Sequence, residues 1–281
     1  MFNSKYSLAV LAATMFVTSP AWAAPEAVEM THDGKVVSVS GDNFFAENIT
    51  FQNDFMVTSD PNITGSQAVA LKVTGDRAIF HNVRLLGLQD TLYAGSKGCT
   101  GDGSSRTCTP ARQYFSESYI AGHFDFIFGD GKTVFNHCEI HSVPFVSAPL
   151  DGFLTAQSKT YPAQDSGYLI YKSRLTAESG VAQVWLGRPW RPYSTVTYID
   201  MEMGGHIEPA GWREWLPGQT HSIGTATYSE FGSTGPGAHP GERDAHAKML
   251  NTGEAAQYTP ENFLRGNDNW NPLKQEIPPL P

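Results

Sequence analysis

Apolar positions along this 281-residue chain recur with the spacing of stacked strands, and helix-period patterning is scarce. Six short segments align with one another: AENITF (46–51), FHNVRL (80–85), FSESYI (115–120), FNHCEI (135–140), IYKSRL (170–175) and YIDMEM (198–203). Each ends on an apolar residue: Phe51, Leu85, Ile120, Ile140, Leu175 or Met203. Two places earlier stands Ile49, Val83, Ser118, Cys138, Ser173 or Met201, mostly apolar or small. Such alternation predicts strands with one face turned inward. The end positions lie 34, 35, 20, 35 and 28 residues apart, and periods of about 20–50 residues mark solenoids or propellers. The uneven lengths favour a single-stranded parallel β-helix, whose stacked strands stay in register while loops on one side vary. A propeller of the Trp-Asp type should show more regular blades and its dipeptide signature. On pattern alone, a β-sandwich is the competing all-β fold.

From about residue 232 the character changes. The stretch 232–241 is rich in Gly and Pro, 244–256 predicts a short helix, and the chain ends Pro-Pro-Leu-Pro. The segment 232–281 is too short to carry its own core and is expected to cap the solenoid as loop and short helix.

Composition suits a strand-and-turn domain with a substantial core: 40% hydrophobic, 17% charged, 27 Gly and 18 Pro. At the N-terminus, Lys5, a mostly apolar run over 8–17 and Ala21-Trp22-Ala23 have the order of a secretory signal. Residues 1–23 are therefore expected to be removed, leaving 24–281 as an exported catalytic domain, secreted or periplasmic. The apolar run is too short to span a bilayer comfortably. Loss of Lys5 takes the formal net charge from −9 to −10. That balance argues against nucleic acid or an anionic membrane as partner, and a monomer is expected.

Cys99 and Cys108 bracket the polar stretch CTGDGSSRTC, the pattern of a disulfide-closed loop in an oxidising compartment. A metal site there is disfavoured because no CxxC pair or nearby His cluster completes it. Cys138 reads as a small core residue.

The alignment also predicts a site. Asp90 lies five residues after Leu85, and Asp125 lies five residues after Ile120. Equivalent positions on adjacent parallel strands stand roughly 4.8 Å apart, so the two carboxylates should be stacked neighbours among apolar residues. Two carboxylates this close cannot both ionise cheaply. One acid beside one anion supplies a general acid/base and a nucleophile. Alternatively, each aspartate is a turn residue bonded to backbone amides.

Here the sequence resembles the pectin methylesterase (pectinesterase) family. The strings QAVAL (67–71), GLQDTLY (87–93), FDFIFGD (124–130), LGRPW (186–190), PAGW (209–212) and STGPGA (233–238) match its hallmarks in order, and the resemblance covers roughly residues 36 to 273. It implies a right-handed parallel β-helix of the pectin-lyase-like kind, and hydrolysis of methyl esters on polygalacturonate. Asp125 would be the nucleophile and Asp90 the acid that protonates methanol and then activates water. Gln67 and Gln89 would stabilise the oxyanion, an effect worth about 2.7–4 kcal/mol per donor. Arg188 would pair with Asp125, and Tyr93, Phe128 and Trp190 would line the sugar groove. No metal or other cofactor is implied.

Three departures stand out. The chain is shorter at its start than the resemblance implies, as though the first coils were lacking. The Cys99–Cys108 stretch is an insertion between the two aspartates. Ser173 occupies the column of Cys138, where some relatives have a partner cysteine. Competing activities are a polygalacturonase-type glycosidase, for which about 5 Å between carboxylates suits a retaining pair, a pectate lyase, which should show a calcium-binding acidic cluster, and an inactive pectin-binding β-helix. A GxSxG elbow is absent, which disfavours a serine esterase.

Overall fold

The computed structural model describes residues 28–29, 36–55, 67–101, 105, 107–144, 152–216, 218 and 222–274. The expected signal segment, 1–23, lies outside the described residues.

The chain winds through three parallel sheets, giving one short strand to each in turn. One sheet runs Val37–Val39, Leu71–Val73, Leu92–Ala94, Ile127–Gly129, Gly152–Gln157 and Val184–Gly187, with Val28–Glu29 antiparallel at its edge. The second stacks Phe45–Glu47, Ala78–His81, Arg112–Ser116, Lys132–Asn136, Gly167–Tyr171, Thr195–Ile199, Thr227–Phe231 and Ala247–Met249. The third stacks Thr50–Gln52, Arg84–Leu86, Tyr119–Gly122, Glu139–Ser142, Arg174–Ala177 and Glu202–Met203. This is a parallel β-helix. Among the described residues no helix is long and apolar enough to cross a membrane.

The aligned segments fall in register. Phe51 pairs with Leu85, Leu85 with Ile120, Ile120 with Ile140, Ile140 with Leu175, and Leu175 with Met203. The first residues of the same segments stack in the second sheet, where Phe80, Phe115 and Phe135 form a ladder with ring centroids 4.6 and 5.2 Å apart. In one respect the structure differs from the pattern. Each segment is two strands joined at a corner, because its third residue (Asn48, Asn82, Glu117, His137, Lys172 or Asp200) takes a left-handed φ between 47° and 56°. Asn and Asp tolerate that conformation best, and half of this column is Asn or Asp.

The small residues just past the corner satisfy backbone groups there. Val83 N–H donates to Ser118 Oγ (3.1 Å), and Cys138 N–H donates to Ser173 Oγ (2.9 Å). Cys138 is a free, buried thiol, pushed by burial up to about 12.

Among the described residues of the tail, Thr252–Ala255 and Pro260–Leu264 are α-helical. The short helix expected within 244–256 forms at the end of that stretch, over Thr252–Ala255. Ala247–Met249 instead adds a terminal rung to the second sheet, where Thr227–Phe231 offers open backbone groups. Leu250, Ala255, Leu264 and Trp270 then cover the outer face of that sheet against Ile79, Tyr114, Val134, Leu169 and Ile199. Arg112 ties the tail down through Asp76 (2.7 Å) and Asp268, with Trp270 stacked on its guanidinium at 5.3 Å.

Phe115 sits at the centre of the ring ladder with none of its surface exposed. Phe115→Ala should lower unfolding free energy by about 3–5 kcal/mol, measured by denaturant titration. Phe115→Leu, which refills most of the volume, should lose less than half as much.

Candidate active site

Where the chain passes from the third sheet into the first, it turns a second corner. After Arg84–Leu86 the corner residue is Asp90, with φ 62°, and after Tyr119–Gly122 it is Asp125, with φ 49°. Aspartate is among the few residues at ease in this conformation, so both residues suit the local geometry. Gln89 bridges to Phe124 and Leu92 pairs with Ile127, which sets Asp90 opposite Asp125 on adjacent rungs, about 4.8 Å apart. The corners pack too tightly for a larger residue at Gly122, where a Cβ would lie 2.3 Å from Phe126 Cβ and 2.9 Å from Thr91 Oγ1.

Both carboxylates are nearly shut off from water, Asp90 at 8% exposure and Asp125 at 5%. Arg188 makes them unequal. Its Nε donates to Asp125 Oδ1 at 2.9 Å and its Nη2 donates to Oδ2 at 2.6 Å, the forked geometry that favours an ionised carboxylate. Burial pushes the Asp125 carboxyl upward, and the bonds and charge of Arg188 oppose that rise. Asp90 is pushed up to about 7, first by burial and then by the Asp125 charge, with Arg188 opposing. The fork to Arg188 favours the ionised form of Asp125, and Asp90 has no such partner among these bonds.

Arg188 is itself held. Nη1 donates to the Trp215 carbonyl at 3.2 Å, and the guanidinium carbon lies 4.1, 4.2 and 4.7 Å from the ring centroids of Trp215, Phe153 and Phe124. These three rings escaped the sequence reading. Counting back from the Ile127–Thr155 pairing puts Phe153 opposite Asp125, a signal hidden by the long connection between the two strands.

Tyr93, Phe128 and Trp190 come together on the outer face of the same sheet. Tyr93 meets Phe128 at 5.1 Å, Phe128 meets Trp190 at 5.8 Å, and Trp190 continues to Trp215 at 6.5 Å. Gln67 and Gln89 occupy successive rungs in the column just before the aspartates, Gln67 exposed and Gln89 half-buried. Cys99 and Cys108 are disulfide-bonded and join a two-stranded hairpin. Cys108 Sγ lies 3.4 Å from Asp130 Oδ2. These two sulfurs and Asp130 form the single cluster of metal-ligand type among the described residues, and the disulfide leaves it no thiolate to offer.

The Pectinesterase family model matches residues 14–267. The chain belongs to the pectinesterase family. Among the pectinesterases it resembles are probable pectinesterase/pectinesterase inhibitor 36 of Arabidopsis thaliana, 34% identical over 86% of this chain and 44% of the relative, and pectinesterase 31 of the same plant, 35% identical over 81% and 63%. The chain thus spans about half to two-thirds of the length of these relatives. Among solved structures, carrot pectin methylesterase superposes with a TM-score of 0.68 at 32% identity, over 83% of this chain and 68% of that one. Pectin methylesterase from Erwinia chrysanthemi gives 0.66 at 31%, over 84% and 72%. The right-handed β-helix of these neighbours is the fold of this chain.

The raised Asp90 carboxyl has a consequence for stability. A carboxyl lifted from 3.8 to about 7 on folding supports the folded state when protonated. That support is complete below about pH 4 and is lost as pH rises through about 7. Asp90→Asn, which never ionises, should match the parent near pH 4 and exceed it near pH 8, by at most on the order of 4 kcal/mol. Thermal unfolding at both pH values checks this; an equal gap at the two would contradict a desolvated Asp90.

Proposed function

We propose that this chain hydrolyses methyl esters of polygalacturonate, giving pectate and methanol, through an acyl-enzyme on Asp125. The reading rests on one observation: a buried carboxylate forked to Arg188, with a second buried carboxyl, raised to about 7, one rung away. Asp125 attacks the ester carbonyl carbon, and negative charge develops on the carbonyl oxygen, to which the side-chain amides of Gln67 and Gln89 donate. Collapse of the tetrahedral species expels methoxide, which takes the Asp90 proton and leaves as methanol. Asp90, now anionic, removes a proton from water. The resulting hydroxide attacks the acyl carbon, the galacturonate carboxyl leaves Asp125, and both aspartates return to their starting states.

Tyr93, Phe128 and Trp190 offer flat apolar faces to the pyranose rings. A pectin methylesterase among the solved relatives is bound to a hexasaccharide, which supports a polysaccharide substrate for this chain. No cofactor takes part in these steps. Export after removal of residues 1–23 would bring the enzyme, as a monomer, to its polymer.

Incubation with highly methylated pectin should release methanol and acid without shortening the polymer. New reducing ends would point to a glycosidase, and unsaturated products to a lyase. Asp125→Asn should release no methanol above background while its circular dichroism stays unchanged. Because Asp90 must enter the reaction protonated, kcat/KM for methanol release should fall as pH rises through about 7; a rate still climbing tenfold beyond that pH would remove Asp90 from the acid role.

A further inference from the structure

Arg188 governs the aspartate pair, and part of what governs Arg188 lies outside the paired strands. Its backbone is fixed by the ladder: Arg188 N–H donates to the Thr155 carbonyl at 3.0 Å, and Gly187 bridges to Trp212 on the next rung. Its side chain reaches past that ladder to Trp215, whose carbonyl accepts from Nη1 and whose ring centroid lies 4.1 Å from the guanidinium carbon. Trp215 belongs to none of the strands, so its place has to be set by other bonds.

Glu214 supplies them. Its Oε1 accepts from Trp215 N–H at 2.8 Å, and its Oε2 accepts from the N–H groups of Ser222 at 3.1 Å and Ile223 at 3.0 Å. Bonds to an ionised carboxylate are shorter and stronger than neutral ones. Both ends of this clamp are anchored. Ile223 packs in the main core at 5% exposure. On the other side Trp212 is buried, stacked on Tyr228 at 3.9 Å, and its Nε1 donates to Glu230 Oε1 at 3.2 Å. All three bonds of Glu214 end on backbone N–H groups, so its structural influence reaches the aspartates through Trp215 and Arg188.

We propose that Glu214 is a positioning residue for Arg188: by fastening Trp215 to Ser222 and Ile223, it keeps the Trp215 carbonyl and ring on the guanidinium and the fork to Asp125 closed. For its effect on turnover the inference rests on the esterase reading above; for its effect on Asp125 it rests on the geometry alone. Charge and geometry act here with opposite signs. An additional anion nearby favours the protonated form of Asp125, whereas a well-held Arg188 favours the ionised form.

Titration of Asp125 reads that sign directly. In protein isotope-labelled at the aspartate carboxyl carbons, the Asp125 signal is the one lost in Asp125→Asn. Its midpoint would be followed by NMR in native protein, Glu214→Gln and Glu214→Asp, with Asp90 and Arg188 the charged groups facing it. Glutamine keeps one acceptor oxygen and turns an NH2 group against the remaining donors. Aspartate keeps the charge but is one methylene too short to span all three. Each variant should raise the midpoint by roughly 0.5–1 unit, a part of the 1–3 units that pairing with an arginine supplies. In methanol release, Glu214→Gln should lower kcat roughly tenfold while KM stays within about twofold. Near-UV circular dichroism checks that each variant is folded, and Glu214→Asp carries the same prediction should Glu214→Gln not fold. A midpoint unchanged in both variants, or lowered in Glu214→Gln as loss of a charge alone would do, would overturn the positioning role, as would a loss confined to KM. Raised midpoints with no methanol release from native protein would sink the esterase reading and leave the positioning role standing.

Discussion

Two carboxylates held one strand spacing apart, both withdrawn from water, cannot carry two charges, and the site is organised around that restriction. The spacing is set by the ladder that pairs Leu92 with Ile127 and Gln89 with Phe124, and no flexible side chain has to be frozen to achieve it. Register alone would leave the proton undecided. Arg188, arriving from a strand two rungs further along, breaks the symmetry by gripping both oxygens of Asp125. A lysine would supply the charge without the fork, and with it less control over the orientation of the carboxylate. The rings of Phe124, Phe153 and Trp215 around the guanidinium keep that contact in a low-dielectric setting, where it is stronger than in water.

In the proposed mechanism the same restriction lets one residue do two jobs. A carboxyl near its ordinary value would be ionised at neutral pH and useless as an acid; one raised far higher would hold its proton too tightly to serve as a base. Asp90, brought to about 7 by burial and by its neighbour's charge and held back by Arg188, lies between those limits, where donation and recapture are both accessible.

Much of this was legible in the chain because a solenoid turns sequence offset into spatial neighbourhood. The column Phe51, Leu85, Ile120, Ile140, Leu175 and Met203 could be read directly, and the equal offset of Asp90 and Asp125 from it located the pair. What escaped was whatever depends on conformation within a repeat or on loops of unequal length. Periodicity carries no sign of φ, so the left-handed corners at Asn48, Glu117 or Lys172 looked like mid-strand positions. Phe153 and Trp215 reach Arg188 across connections whose lengths fit no repeat. Gly95 was invisible because its meaning lies in the Tyr93 ring that covers it, where an added Cβ would lie 2.3 Å from Cε1.

The hairpin closed by Cys99 and Cys108 shows how such a scaffold adds features without disturbing the site. It leaves the rung just past Tyr93, and a buried carboxylate on the next rung fastens its root: Asp130 Oδ1 accepts from Ser96 N–H at 2.9 Å, while Oδ2 accepts from Gln164 Nε2 at 2.9 Å and touches Cys108 Sγ. Asp130 lies two residues after Phe128, as Ser96 lies three after Tyr93, so the anchor sits at the end of the aromatic groove and away from the aspartate column. The hairpin root and the aspartate pair therefore share rungs but occupy different columns. A change in the hairpin can leave Asp90, Asp125 and Arg188 in the geometry that the ladder gives them.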